Sequence, residues 1–156
     1  MKYVCALIVV EDMVRARDFY ENVLGQKLKY DFGENIQYEG GFSLHLGAHY
    51  RRLLGVEEHV PVRAAHNYEL YFETDALDET YDRLRRYSVR FLHELREQPW
   101  GQRVMRIYDP DENVIEIGES MEAVARRFHR QGMTPAEICR RTSLPSEFVA
   151  AALAAE

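Results

Sequence analysis

Apolar positions change period several times along this chain, and each change predicts an element. Residues 3 to 10, YVCALIVV, are apolar without interruption, which predicts a strand covered on both faces. Glu11-Asp12 ends the run. Met13, Ala16, Phe19, Tyr20, Val23 and Leu24 then recur at helical spacing, and Gly25 stops the helix. Residues 27 to 32 alternate as a strand, and Gly33-Glu34-Asn35 turns the chain. Residues 36 to 39 and 42 to 46 are two further strands separated by Gly40-Gly41. Residues 48 to 65 read as a charged connector. The pattern then restarts, with a strand at 68 to 74 and a helix marked by Leu77, Tyr81 and Leu84. Strands follow at 89 to 94, 102 to 108 and 113 to 118. Strand, helix and three strands therefore occur twice. A shift of 64 positions lays Leu77 on Met13 and Glu69 on Cys5. The fold class is α+β, with modules at 1–47 and 66–119.

From Ser120 onward alanine rises and the period becomes helical. Met121, Val124, Ala125 and Phe128 form one stripe, which Gly132 ends. Thr134-Pro135-Ala136-Glu137 is an N-cap with proline at the first helical position and an acid at the third. A last helix is expected from 147 to 155. Residues 120–156 thus form a helical tail resembling a helix-turn-helix. Residues 119 to 156 carry five arginines and five glutamates, and the last helix carries no basic residue, so the tail argues against nucleic acid. Packing on the sheet or on a second subunit is the expectation.

Composition narrows the classes. The chain has 156 residues, 46% apolar and 29% charged, which suits a globular domain rather than a disordered one. Its formal charge of −6 excludes a basic surface spread over the whole molecule. Two cysteines far apart in sequence make no disulfide framework, so the cytoplasm is the simplest setting. The apolar N-terminal run is too short for a signal sequence or membrane span.

Candidate chemistry follows from strand parity. Ser43 and His45 share one face of their strand; Asn67, Glu69, Tyr71 and Glu73 share one face of theirs. Glu116 sits with Val114 on one side of the last strand, inside the stretch YDPDENVIEIGE. A carboxylate within an apolar strand needs a cation, a metal or a set of donors. If these faces converge, His45, Glu69 and Glu116 suit a divalent metal such as Zn, Ni, Mn, Fe or Co. Tyr30, Tyr38, Tyr71, Trp100 and Tyr108 lie in or beside strands and offer stacking surfaces for a flat ligand. Arg103 and Arg106 lie just beyond Trp100-Gly101, and Arg103 is a candidate anion anchor.

Three stretches carry a resemblance: VEDMVRARDFYENVLGQKLKYD, YFETDALDETYDRL and PWGQRVMRIYDPDENVIEIGE. They resemble the vicinal oxygen chelate superfamily, which includes glyoxalase I, fosfomycin-modifying enzymes, extradiol dioxygenases and bleomycin-binding proteins. The likeness covers residues 1 to 119 and implies two βαβββ modules pairing into an open, curved mixed sheet, often with a divalent metal and often as a homodimer. The family's four ligand positions fall on Cys5, His45, Glu69 and Glu116. Only Glu116 carries the usual residue: the first strand usually offers His or Gln, the fifth usually His, and the position of His45 is often Glu. His66 is a lesser candidate, on the opposite parity to Glu69.

The resemblance implies one of two functions. The first is a metal-dependent lyase or isomerase, lactoylglutathione-lyase-like or dioxygenase-like, acting on a small oxygenated substrate. One of Glu69 and Glu116 would then leave the metal and act as the base. The second is a metal-free protein that binds a small antibiotic-type molecule through Trp100, Tyr71, Arg103 and Tyr30.

Overall fold

The computed structural model describes residues 4–54 and 68–155. His66, Asn67 and most of the expected connector lie outside the described residues. The chain divides into two compact units. The first spans Met1–Ala65 and takes in the turn Asp109–Asn113; the second spans His66–Tyr108 and Val114–Glu156.

The first unit contains β1 (Ala6–Val10), α1 (Met13–Arg17), β2 (Leu28–Asp31), β3 (Asn35–Tyr38), β4 (Phe42–Leu46) and α2 (Gly47–Leu54). Asp12 caps α1 by accepting from the backbone N–H of Arg15 at 3.0 Å. The helix runs on as a π-helical stretch, Asp18–Val23. The four strands form one sheet in the order β1-β4-β3-β2, parallel between β1 and β4 and antiparallel elsewhere. One face meets the helix through Ile8, Val10, Ile36, Tyr38, Phe42 and Leu44 against Ala16, Phe19, Tyr20 and Val23, all buried. Tyr20, Tyr38 and Phe42 form a ring cluster there, with Tyr38 and Phe42 stacked at 5.0 Å. β1 is not covered on both faces as its composition predicts: Leu7 and Val9 alternate with the buried Ile8 and Val10, and Leu7 is exposed. α2 occupies the start of what reads as connector.

Two sequence motifs meet in this unit. The Tyr20 hydroxyl donates to Asp109 Oδ2 at 2.9 Å. Asp109 also accepts from the backbone N–H groups of Asp111 and Asn113 and from the Asn113 amide. Burial pushes the Asp109 pKa up, opposed by these donors. The turn is therefore a hydrogen-bonded plug under the helix, which is why its acid-rich sequence is buried.

The second unit repeats the plan with β5 (Glu69–Thr74), α3 (Leu77–Arg86), β6 (Phe91–Glu97), β7 (Arg103–Tyr108) and β8 (Val114–Glu119). Its sheet order, β5-β8-β7-β6, is the same topology as the first, so the expected repeat is present in the strand connections. Met105, Ile107, Ile115 and Ile117 make the buried face, next to Leu77 and Leu84 of α3. The tail forms α4 (Met121–Arg130), α5 (Pro135–Thr142) and α6 (Ser146–Ala154), with a core of Val124, Ala125, Phe128, Ile138, Val149 and Ala152. The capping box at Thr134 and Glu137 is formed.

Glu119, at the end of β8, is 3% exposed and joins the tail to the sheet. It binds Arg103 Nη2 and Arg127 Nη2, each at 2.8 Å. Arg127 also donates to the Gly101 carbonyl at 2.5 Å. Gly101 has φ +91° and lies against the Phe128 ring, so a side chain there is excluded by both conformation and space. Burial raises the Glu119 pKa, but bonds from Arg127 and Arg103 outweigh it and the net shift is downward. The stability linked to this group is thus present above the ordinary carboxylate range and lost as pH falls through the depressed value.

Replacing Glu119 with Ala removes the buried carboxylate that Arg103 and Arg127 share, and is expected to cost on the order of 3 kcal/mol in chemical denaturation at neutral pH. The difference from wild type should shrink as the pH is lowered into the acid range. Tyr20→Phe removes one donor from Asp109 and is expected to cost about 1–2 kcal/mol by the same measurement.

Candidate functional site

In the second unit the register places one polar rung across the whole sheet. His93 on β6 pairs with Arg106 on β7, Arg106 with Glu116 on β8, and Glu116 with Tyr71 on β5. Period-two geometry puts all four on the face opposite the buried isoleucines, with Glu69 two residues before Tyr71. Glu116 is 8% exposed, and its partner is the Arg106 guanidinium. Arg106 also binds Glu69, with Nε to Oε2 at 2.7 Å and Nη2 to Oε1 at 3.2 Å. Its Nη1 lies 3.2 Å from His93 Nε2.

Beside this cluster runs a hydrogen-bonded chain. Trp100 Nε1 donates to Gln102 Oε1 at 3.0 Å, and Gln102 Nε2 donates to the Tyr71 hydroxyl at 2.6 Å and to the Glu119 carbonyl at 2.8 Å. Tyr71 donates to Glu73 at 2.6 Å. Burial of the hydroxyl and the bond to Glu73 push the Tyr71 pKa up to about 12. Gly118 is the floor: a Cβ there would come 2.9 Å from Gln102 Nε2 and 3.3 Å from the Tyr71 ring. The two rings are nevertheless open, Trp100 at 43% and Tyr71 at 47%. One buried glutamine thus orients two exposed aromatic side chains.

In the first unit, Cys5 Sγ lies 3.4 Å from Ser43 Oγ. His45, 6% exposed, makes a 2.9 Å bond from Nε2 to His49 Nδ1, while its Nδ1 has no partner among the described residues. His49 Nε2 is 3.7 Å from Glu34, which Arg52 holds at 2.7 Å. Val9 stands opposite His45. Cys5 lies four residues before Val9, at the Ser43 side of this strand pair. Tyr30 is exposed on β2, its ring 6.0 Å from that of Phe32.

Of the expected metal set, Glu69 and Glu116 come together, and what they meet is Arg106. Among the described residues no group of three His, Cys, Asp or Glu side chains is placed to hold a metal ion. The donors of this face do not fit a divalent cation as they stand, because a guanidinium holds both carboxylates. Arg103 lies on the other parity, bound to Glu119 and to Asp78 at 3.0 Å. Arg106 and His93 are the residues that sequence reasoning passed over. The signal for Arg106 was present, since counting outward from the Asp109–Asn113 turn sets it directly across from Glu116.

Comparison with known proteins identifies the class. The model of the glyoxalase-like domain family matches residues 3–122, and the chain belongs to that family. Among solved structures, a protein of unknown function from Agrobacterium tumefaciens str. C58 is 36% identical, with a TM-score of 0.71 over 77% of this chain and 94% of that one. A member of the glyoxalase/bleomycin resistance protein/dioxygenase superfamily from Sphaerobacter thermophilus is 26% identical, with a TM-score of 0.57 over 77% and 98% of the two chains. A lactoylglutathione lyase from Agrobacterium tumefaciens shares the fold at 21% identity and a TM-score of 0.59, over 76% and 93%. A search of the curated proteins found no match. The described residues contain no helix long and apolar enough to cross a membrane.

Burial and the neighbouring His49 lower the His45 pKa, against a smaller opposing effect of Glu34. The neutral imidazole is therefore favoured in the fold, and the associated stability is lost as pH falls through the depressed value. In an NMR titration His45 is expected to protonate below the ordinary histidine range of about 6.5. A midpoint at or above that range would contradict the environment described.

Proposed function

We propose that this protein binds a small planar organic molecule without needing a metal, on the polar face of the β5-β8-β7-β6 sheet. The observation that carries this reading is the pair of solvent-open rings, Trp100 and Tyr71, both held by Gln102. Orienting the rings in advance removes part of the ordering cost of binding, and aromatic faces accept flat ligands by stacking. The Arg106–Glu116–Glu69 cluster beside them supplies donors and acceptors for a polar edge. A lyase or isomerase mechanism through a metal on Glu69 and Glu116 receives less support, since Arg106 neutralises both. The lactoylglutathione lyase contributes only its fold to the argument.

Trp100 is the single tryptophan, so its fluorescence reports the site directly. Bleomycin and other planar aromatic ligands are expected to quench it saturably, equally with and without EDTA. Tyr71→Ala should weaken binding by about tenfold, the effect of about 1.4 kcal/mol. Absence of saturable quenching across such a panel, or quenching that EDTA abolishes, would sink the reading.

A further inference from the structure

Trp100 sits at the tip of the β6–β7 hairpin. Gln98 donates its backbone N–H to the Gln102 carbonyl at 2.8 Å, and Gly101 donates to the Gln98 carbonyl at 2.8 Å. These bonds close a three-residue loop, Pro99-Trp100-Gly101, in which Gly101 takes φ +91°. Pro99 and Trp100 are exposed. An exposed loop tip is where a sheet is least ordered, and a ligand stacking on a loose Trp100 would bear the cost of fixing it.

The helical tail holds this tip. α4 begins directly after β8 with Ser120 as its N-cap, and two turns on it brings Arg127 and Phe128 to Gly101. The buried carboxylate of Glu119 grips the Arg127 guanidinium at two points, Nε to Oε1 at 3.0 Å and Nη2 to Oε2 at 2.8 Å. Nη2 so placed also donates to the Gly101 carbonyl at 2.5 Å. The Phe128 ring fills the space that a side chain on Gly101 would need. The Glu119 carbonyl meanwhile accepts from Gln102 Nε2, and Gln102 orients Trp100. One residue of β8 therefore binds the tail through its side chain and the aromatic pair's support through its main chain. Arg126, the neighbour of Arg127, binds Asp75 at 3.1 Å, directly beyond the strand that carries Tyr71. Consecutive arginines of α4 thus hold the loop bearing one ring and the end of the strand bearing the other.

We infer that Arg127 is a positioning residue for the ligand surface: the tail clamps the hairpin tip and so sets Trp100 in line with Tyr71. Arg127 lies past residue 122, where the match to the glyoxalase-like domain ends, so the surface is completed by a part of the chain outside that domain. This role rests on the aromatic-pair reading above and adds to it a dependence on the docking of α4.

The test uses the full chain and the fluorescence of its single tryptophan. Without ligand, Arg127→Ala is expected to lower the anisotropy of Trp100 and to raise its quenching by acrylamide. Its affinity for bleomycin should fall by about fivefold or more. Val149→Ala, in the tail core, is the control: it should lower stability and leave the Trp100 signals as in wild type. A folded Arg127→Ala with wild-type anisotropy and quenching overturns the inference, as does an equal change of both signals in Val149→Ala. Should Arg127→Ala fail to fold, Arg127→Lys keeps a charge for Glu119 but lacks the fork that also reaches the Gly101 carbonyl. A loosened Trp100 in that variant supports the role, and a wild-type signal overturns it. If wild type gives no saturable response to bleomycin or to any other planar ligand, the binding reading falls, while the ligand-free signals still decide the role of Arg127.

Discussion

A carboxylate buried in a sheet must be neutralised where it stands, and the pairing of Glu116 with Arg106 satisfies that constraint. Much of the second unit's polar face is arranged around it. The guanidinium draws in Glu69 from the neighbouring strand and sets the orientation of His93. Together they make a fixed hydrogen-bonding surface beside Tyr71 and Trp100.

Three residues on, the same constraint recurs on the other face. Glu119 is buried as well, and its neutralisation by Arg103 and Arg127 fastens the helical tail to the sheet. The family model ends at residue 122, so most of the tail lies beyond it, yet its first helix is tied to the sheet through a β8 carboxylate. One strand thus carries two buried acids of opposite parity, one organising the candidate site and one the tail. The first unit has the same strand order but different chemistry. There His45, His49 and Glu34 form a short chain of their own, and Cys5 is occupied with Ser43. Shared topology without shared side chains is what a repeat visible in pattern but barely in identity implies.

The strands, their order and the parity of their polar residues were legible because alternation has a period of two and the turns carry Gly, Pro, Asp and Asn. Arg106 was legible in principle as well: a tight turn fixes the register of its hairpin, and register fixes who faces whom. α2 lies at the start of the expected connector and carries its arginines out to Glu11 and Glu34. The burial of the DPDEN turn was hidden. Asp109 is satisfied by Tyr20 and by the turn's own N–H groups, while Asp111 meets Arg15 and the Glu11 backbone, and the Tyr20 and Arg15 contacts are ones no local pattern encodes.

By itself the sequence determined the α+β class, the doubled module, the helical tail with its capping box, and the face on which Glu69, Tyr71 and Glu116 lie. These depend on periodicity and local turn chemistry, which act over a few residues. Only the tertiary structure decided what Glu116 meets, that Arg103 and Arg106 serve opposite faces, and that one glutamine holds both Trp100 and Tyr71. Those outcomes depend on side chains brought together from separate strands, where the cost of leaving a charge unpaired selects among partners that local sequence leaves equivalent.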